Sequence, residues 1–200
     1  PLVIGTTECL ERAARQVGSN IRIQRINSLQ EMSESTLGIE VLEPLQFTTS
    51  QLVMGQVSAE CGRAAVGYFE HAVNLCLSNA VQGVVTCPIN KEAVHAAGFI
   101  GDIGHQEILA RMTGATLTAT MLMTTGLKVA HLSTHKSLAD AVAYVKKSVI
   151  VEKLQLTMAS LQAWGLDQPK IAVAALNPHG GEGGMLGREE IDEILPAVEH

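Results

Sequence analysis

The chain has 200 residues, of which 46% are hydrophobic and 17% are charged, and its formal net charge is −6. This length can enclose one sizeable core, or two small lobes that share a cleft. The acidic balance and the lack of a basic stripe argue against nucleic acid and anionic membrane as partners. No apolar run approaches the ~20 residues of a membrane-spanning helix.

Four cysteines lack metal-ligand spacing and any CxxC pair: Cys9, Cys61, Cys76 and Cys87. Their scatter is typical of reduced thiols in a cytoplasmic protein. The chain opens at Pro1 directly into a strand-like segment and closes at His200 straight after a helical one. We therefore expect it to be part of a longer protein.

The first half of the chain alternates apolar strand patterns with helical ones. We predict a strand over residues 2–4, a helix up to Val17 with Thr6 or Thr7 as N-cap, strands over 21–26 and 39–42, and a long helix from Ser58 to about Asn79.

The second half continues the alternation. We predict buried strands over residues 83–87 and 171–176, helices over 91–97, 106–113 and 148–164, an antiparallel hairpin of 118–124 with 127–132, and a last helix over 188–195 that ends near Pro196.

This alternation predicts an α/β fold with a mostly parallel sheet, helices on both of its faces, and two lobes around a cleft. Gly98, Gly101 and Gly104 cluster where the pattern changes. We therefore expect two incomplete α/β lobes, residues 1–100 and 101–200, with the metal and substrate cleft in the second.

Two histidines follow predicted strands, where open α/β sheets bind ligands. His179 opens a glycine-rich turn, residues 177–184, and His135 follows the strand that ends near Leu132. Neutral imidazoles converging from two strand ends suit a transition-metal ion. His131 would lie ~13 Å from His135 along a strand, at ~3.3 Å per residue, and is interpreted as structural.

Two further stretches are weaker candidates. His105 and Gln106 open a helix after Gly104, where free backbone N–H groups and the helix dipole suit a phosphate or carboxylate; an ordinary N-cap is the alternative. Lys91 follows another predicted strand end and could steady a negative charge, although a solvated lysine at a helix start has the same pattern. The chain has no GxGxxG, GxxxxGK[ST], HExxH or GxSxG motif, so its cofactor contacts are unknown.

Residues 86–91, 104–107, 133–135 and 177–184 resemble, in order and rough spacing, the motifs of the 4-hydroxythreonine-4-phosphate dehydrogenase family. The resemblance runs from Leu2 to Pro196, and Asn-Pro-His-x-Gly-Glu-Gly is its most specific part. It implies a fold like that of isocitrate and isopropylmalate dehydrogenases, and a homodimer with the active site at the subunit interface.

The resemblance also implies site roles. His135 and His179 match two of three ligands of a divalent metal (zinc, magnesium or cobalt), and the third would lie beyond His200. His105 matches a substrate-binding histidine, and Gln106 stands where the pyridoxine-biosynthesis enzyme has threonine. Lys91 is the candidate catalytic residue, as an electrostatic helper.

The implied reaction is NAD-dependent oxidation of a phosphorylated 3-hydroxy acid to the 3-oxo acid, followed by decarboxylation; a preference for NADP is left open. The substrate would be 4-hydroxythreonine 4-phosphate or, as residues 133–137 favour, threonate or erythronate 4-phosphate. Three alternatives remain: a cis-dihydrodiol dehydrogenase of aromatic degradation, a phosphotransacetylase-like acyltransferase, and a non-catalytic metal-binding module.

Overall fold

The computed structural model describes residues 1–33, 37–101 and 104–200. They form two compact units, Pro1–Thr116 and Leu117–His200. The division into lobes 1–100 and 101–200 stays a prediction. In the part of the chain that the structure describes, no helix is both long enough and apolar enough to cross a membrane.

A three-stranded parallel sheet opens the first unit: β1 (Leu2–Ile4), β2 (Arg22–Ile26) and β3 (Gly38–Leu42), in the order β1-β3-β2. The central strand places Val41 in the core with no exposed surface, and Ile26 is 1% exposed. Helix α1 (Thr7–Gln16) follows β1. The α/β class and the parallel pairing predicted from the sequence are confirmed.

Three helices complete the first unit: α2 (Ala59–Leu77), α3 (Lys91–Ala96) and α4 (His105–Thr113). Polar caps begin two of them, because Ser58 Oγ accepts from the N–H of Cys61 and Asn90 Oδ1 accepts from the N–H of Ala93. The helices bury one apolar cluster: Val66, Phe69, Val73, Val94 and Ile108.

The contact between α2 and α3 depends on a glycine. A Cβ added to Gly62 would lie 2.0 Å from the carbonyl oxygen of Ala93. Only a residue without a side chain allows the two backbones to approach this closely.

The second unit contains the predicted antiparallel hairpin, β4 (Met121–Thr124) with β5 (Leu127–Ala130), which turns at Gly126 with φ +80°. It also contains α5 (Leu138–Ala143), α6 (Lys147–Ala163) and α7 (Leu195–Val198). Its buried cluster is Val145, Ile150 and Ala197.

Two predicted strands are wrong. Residues 83–87 and 171–176 join no sheet among the described residues, and Val85 is 99% exposed. An apolar run indicates a tendency to be buried, but a strand also needs a neighbouring edge that bonds its N–H and C=O groups. Neither run pairs with any strand that the structure describes.

The C-terminal helix also differs from the prediction. A π-helical turn, Glu190–Ile194, leads directly into α7, and Pro196 lies in the first turn of α7 instead of ending the helix. Proline is tolerated there because its ring fixes φ at about −65°, a value that helical backbone adopts. Two 3₁₀ turns, Leu29–Glu31 and Thr49–Gln51, complete the regular structure of the first unit.

Candidate functional site

Asn177 organises the glycine-rich loop that carries His179. Its side-chain Oδ1 accepts a hydrogen bond of 2.8 Å from the N–H of His179, and its Nδ2 lies 3.5 Å from the carbonyl oxygen of Leu186. One side chain therefore ties the entry and the exit of the loop. We call residues 177–187 the His179 loop.

The backbone of the His179 loop needs its glycines. Five of them have positive φ: Gly180, Gly181, Gly183, Gly184 and Gly187. Glu182 also has positive φ, +44°, which is uncommon for a residue with a side chain. Strained backbone of this kind tends to occur at ligand-binding sites, and here it surrounds the candidate histidine.

The His179 side chain is 68% exposed, and its Nδ1 lies 3.6 Å from Oε1 of Glu182. This distance is longer than a hydrogen bond, and both ring nitrogens remain accessible as possible donors to a metal. The donor chemistry of His179 therefore fits a divalent cation.

His135 lies in the loop between β5 and α5, on exposed backbone with φ +54°. Ser137 secures the end of that loop, because its Oγ accepts from the N–H of Asp140 at 3.1 Å. His131 is half-buried, and its N–H donates to the carbonyl oxygen of Thr120 at 2.9 Å, which extends the hairpin.

His135 and His179 both belong to the second unit. His135 follows β5, and His179 follows the irregular apolar residues 171–176. Among residues 1–33, 37–101 and 104–200, no three His, Cys, Asp or Glu side chains form a group that could hold a metal. The two imidazoles are suitable donors, but their convergence on one metal stays a prediction, and a catalytic zinc usually has three protein ligands.

His105 is the first residue of α4, after Gly104 in extended conformation. Its ring makes an edge contact with Phe69, and burial lowers the pKa of the imidazole below its usual value. The lowered pKa favours the neutral imidazole, which can donate one hydrogen bond and accept another. Gln106 follows it and is half-buried.

Lys91 is the first residue of α3 and is exposed, directly after the Asn90 cap. This exposed position fits a solvated lysine at a helix start as well as it fits an electrostatic helper. The role of Lys91 stays a prediction.

Glu190 was not singled out by the sequence patterns as a site residue. Its Oε1 accepts a hydrogen bond of 2.7 Å from the N–H of Asn177, and this bond lowers the pKa of the carboxyl. The sequence signal that could have found it is the acidic pair Glu189-Glu190, which follows Gly187 after one arginine.

Nearly the whole of this chain can be superposed on part of a solved enzyme. The structure is similar to that of 4-hydroxythreonine-4-phosphate dehydrogenase from Klebsiella pneumoniae, with a TM-score of 0.86 and 34% identity over 99% of this chain and 60% of that one. The architecture is the isocitrate dehydrogenase-like α/β fold of a class of oxidoreductases.

The sequence comparisons define the family. The family described as pyridoxal phosphate biosynthetic protein PdxA matches residues 1–200, and the chain belongs to that family. The D-threonate 4-phosphate dehydrogenase of Cupriavidus necator is 37% identical over 100% of this chain and 60% of its own length. The 4-hydroxythreonine-4-phosphate dehydrogenase of Beijerinckia indica is 38% identical over 98% and 58%. The chain thus spans less than two thirds of these relatives.

Proposed function

We propose that the protein containing this chain is an NAD-dependent, divalent-metal-dependent dehydrogenase. It oxidises a phosphorylated 3-hydroxy acid to the 3-oxo acid, which then loses CO₂. The observation that carries the proposal is the His179 loop, in which Asn177 and five positive-φ glycines present an exposed imidazole beside a carboxylate. The names of the relatives supply the reaction class.

His135 and His179 would hold the metal, which is zinc, magnesium or cobalt. A divalent cation bound there would act as a Lewis acid toward the substrate hydroxyl and lower its pKa. The Glu182 carboxylate would keep the His179 ring oriented, and the third ligand would come from outside residues 1–200. The imidazoles of His135 and His179 must be neutral to bind a metal ion, so metal affinity should fall as the pH is lowered.

The first turn of α4 would bind substrate in this proposal. His105 and Gln106 lie at the helix start, where backbone N–H groups and the helix dipole favour an anionic group. A neutral His105 would donate its remaining N–H to a substrate oxygen without adding a charge. Lys91 would contribute long-range positive potential to the same anionic substrate.

The substrate proposed is a four-carbon sugar-acid phosphate, threonate or erythronate 4-phosphate. The Cupriavidus relative bears the name of a D-threonate 4-phosphate enzyme, and the primary amide of Gln106 supplies both a donor and an acceptor for hydroxyl groups. 4-Hydroxythreonine 4-phosphate is the alternative substrate, because the Beijerinckia relative is named for it. We further propose a cytoplasmic homodimer with the active site at the subunit interface.

The experiment is a substrate panel on the full-length protein. Threonate, erythronate and 4-hydroxythreonine 4-phosphates are each supplied with NAD or NADP and with zinc, magnesium or cobalt, and reduced cofactor and released CO₂ are measured. We expect NADH and CO₂ in equal amounts from a phosphorylated acid, and none from its dephosphorylated form.

Oxidation of a cis-dihydrodiol without any reaction of the phosphorylated acids would contradict the substrate class. Acetyl transfer to phosphate without reduction of NAD would contradict the reaction class. Metal binding with no turnover of any substrate would favour the non-catalytic alternative.

A further inference from the structure

Glu190 lies against the base of the His179 loop. Its Oε1 accepts a hydrogen bond of 2.7 Å from the main-chain N–H of Asn177. Asn177 in turn accepts, through Oδ1, the N–H of His179 at 2.8 Å. Two consecutive hydrogen bonds therefore connect the Glu190 carboxylate to the backbone of the candidate metal ligand.

The second carboxylate oxygen of Glu190, Oε2, lies close to Gly181 of the loop. Oε2 is buried and has no hydrogen-bond partner among the described residues. A Cβ added to Gly181 would lie 3.0 Å from Oε2 and 3.0 Å from the carbonyl oxygen of Gly187, and Gly181 is buried. The carboxylate thus lies close to Gly181, and a side chain at position 181 would require Glu190 or the loop backbone to shift.

Glu190 contrasts with the next carboxylate along the same turn. Asp192 forms a two-bond pair with Arg188, at 2.8 and 3.0 Å, and that pair is exposed. The Arg188 side chain lies beside Gly184 of the loop, where an added Cβ would be 3.4 Å from its Nη1. An exposed pair of this kind contributes little to stability. The segment therefore carries two carboxylates of similar charge, of which Glu190 accepts a hydrogen bond from the loop backbone and Asp192 accepts from Arg188.

We infer that Glu190 is a positioning residue for His179, which it holds in a metal-binding orientation by bonding the backbone of Asn177. The inference rests on the proposed role of His179 as a metal ligand. Glu190 acts on the loop backbone and does not itself bind the metal or the substrate. Groups that hold a metal ligand in place typically change metal affinity ~10- to 100-fold when they are removed.

The test uses Glu190→Ala, Glu190→Gln and the control Asp192→Asn in the full-length protein. Hydrogen exchange of residues 176–187 is measured without metal, and cobalt(II) affinity is measured by calorimetry. We expect faster exchange and ~10- to 100-fold weaker cobalt binding in Glu190→Ala. Glu190→Gln should be affected less, because its amide oxygen can still accept from Asn177. Asp192→Asn should match the wild type in both measurements.

The outcomes separate the inference from the proposed function. If the wild type binds no divalent metal, the proposed function fails, and the exchange data still report whether Glu190 orders the loop. If the wild type binds cobalt and Glu190→Ala binds it equally well despite faster exchange, Glu190 is only structural and the inference is overturned. Should Glu190→Ala fail to fold, Glu190→Gln decides: faster exchange together with weaker cobalt binding supports the inference, because an amide oxygen is a weaker acceptor than a carboxylate. Wild-type exchange in Glu190→Gln overturns it, whatever the affinity.

Discussion

The ring of His105 meets the ring of Phe69 edge to face, with centroids 4.8 Å apart and an interplanar angle of 78°. Phe69 belongs to the buried cluster of the first unit, so one side of the imidazole is fixed by the core. Edge-to-face packing of aromatic rings stabilises a fold by about 0.5–1.5 kcal/mol in addition to the effect of the buried area. The contact holds His105 at the start of α4 in a defined orientation.

Replacing His105 by Ala should lower kcat/KM about 10- to 100-fold and leave bound metal unchanged. The expected loss corresponds to one hydrogen bond to a charged group, about 1.5–3 kcal/mol. Steady-state kinetics and metal analysis of the full-length protein check it. His95→Ala is the control, since His95 is exposed in the last turn of α3. Loss of metal from the His105 variant would refute the assignment to substrate.

The depressed pKa of His105 predicts a pH dependence of stability. Burial disfavours the charged imidazole, so the unfolded state binds a proton more readily than the folded state. The contribution of His105 to stability is thus fully present above the unfolded pKa and is lost as pH falls through the lower, folded pKa. Urea unfolding between pH 7.5 and pH 5 should show a steeper loss in the wild type than in His105→Gln. Equal slopes would contradict the predicted effect of burial.

Replacing either His135 or His179 by Ala should abolish stoichiometric binding of divalent metal, and turnover with it. Each variant leaves at most two of the three ligands that a catalytic site usually requires. Metal content after gel filtration is the measurement. His131→Gln is the control, because His131 contacts the hairpin through its backbone. Normal metal content in both alanine variants would rule out the proposed pair.

Gly62→Ala should destabilise the protein by about 1–3 kcal/mol, because the added Cβ would overlap the carbonyl oxygen of Ala93 and force α2 and α3 apart. Gly83→Ala is the matched control, since no atom lies within 4 Å of the added Cβ there. Denaturant unfolding of both variants measures the difference. A Gly62→Ala variant as stable as Gly83→Ala would mean that the two helices pack less closely than described.

Gly181→Ala and Gly183→Ala form a second matched pair within the His179 loop. Both glycines have positive φ, +72° and +66°, so each variant should lose about 1 kcal/mol from backbone strain. An added Cβ at Gly181 would also lie 3.0 Å from Glu190 Oε2, whereas an added Cβ at Gly183 meets nothing within 4 Å. Cobalt affinity should therefore fall further in Gly181→Ala. Equal affinities would show that the contact does not influence the metal site.

Local sequence patterns predicted the elements that local forces stabilise. Ser58 begins α2 and Asn90 begins α3 by capping their own helices, and Gly126 makes the hairpin turn by its positive φ. In each case the decisive interaction lies within a few residues of the chain. The same is true of the Asn-Pro-His turn, where Asn177 bonds the N–H of His179 two residues on.

Local sequence patterns gave wrong predictions where the secondary structure depends on residues far away in the chain. The apolar runs 83–87 and 171–176 have strand composition, yet neither pairs with another strand among the described residues, because pairing is decided by which edges lie beside them. Pro196 was expected to end a helix, but the preceding π-helical turn lets α7 begin at Leu195.

The sequence by itself determined the α/β class, the main helices and the histidines worth testing, since hydrophobic periodicity, caps and glycine turns are local properties. Only the tertiary structure decided that Glu190 bonds Asn177 thirteen residues earlier, and that Phe69 orients His105. Contacts between residues far apart in the chain arise from the packing of whole elements, and no spacing in the sequence encodes them directly.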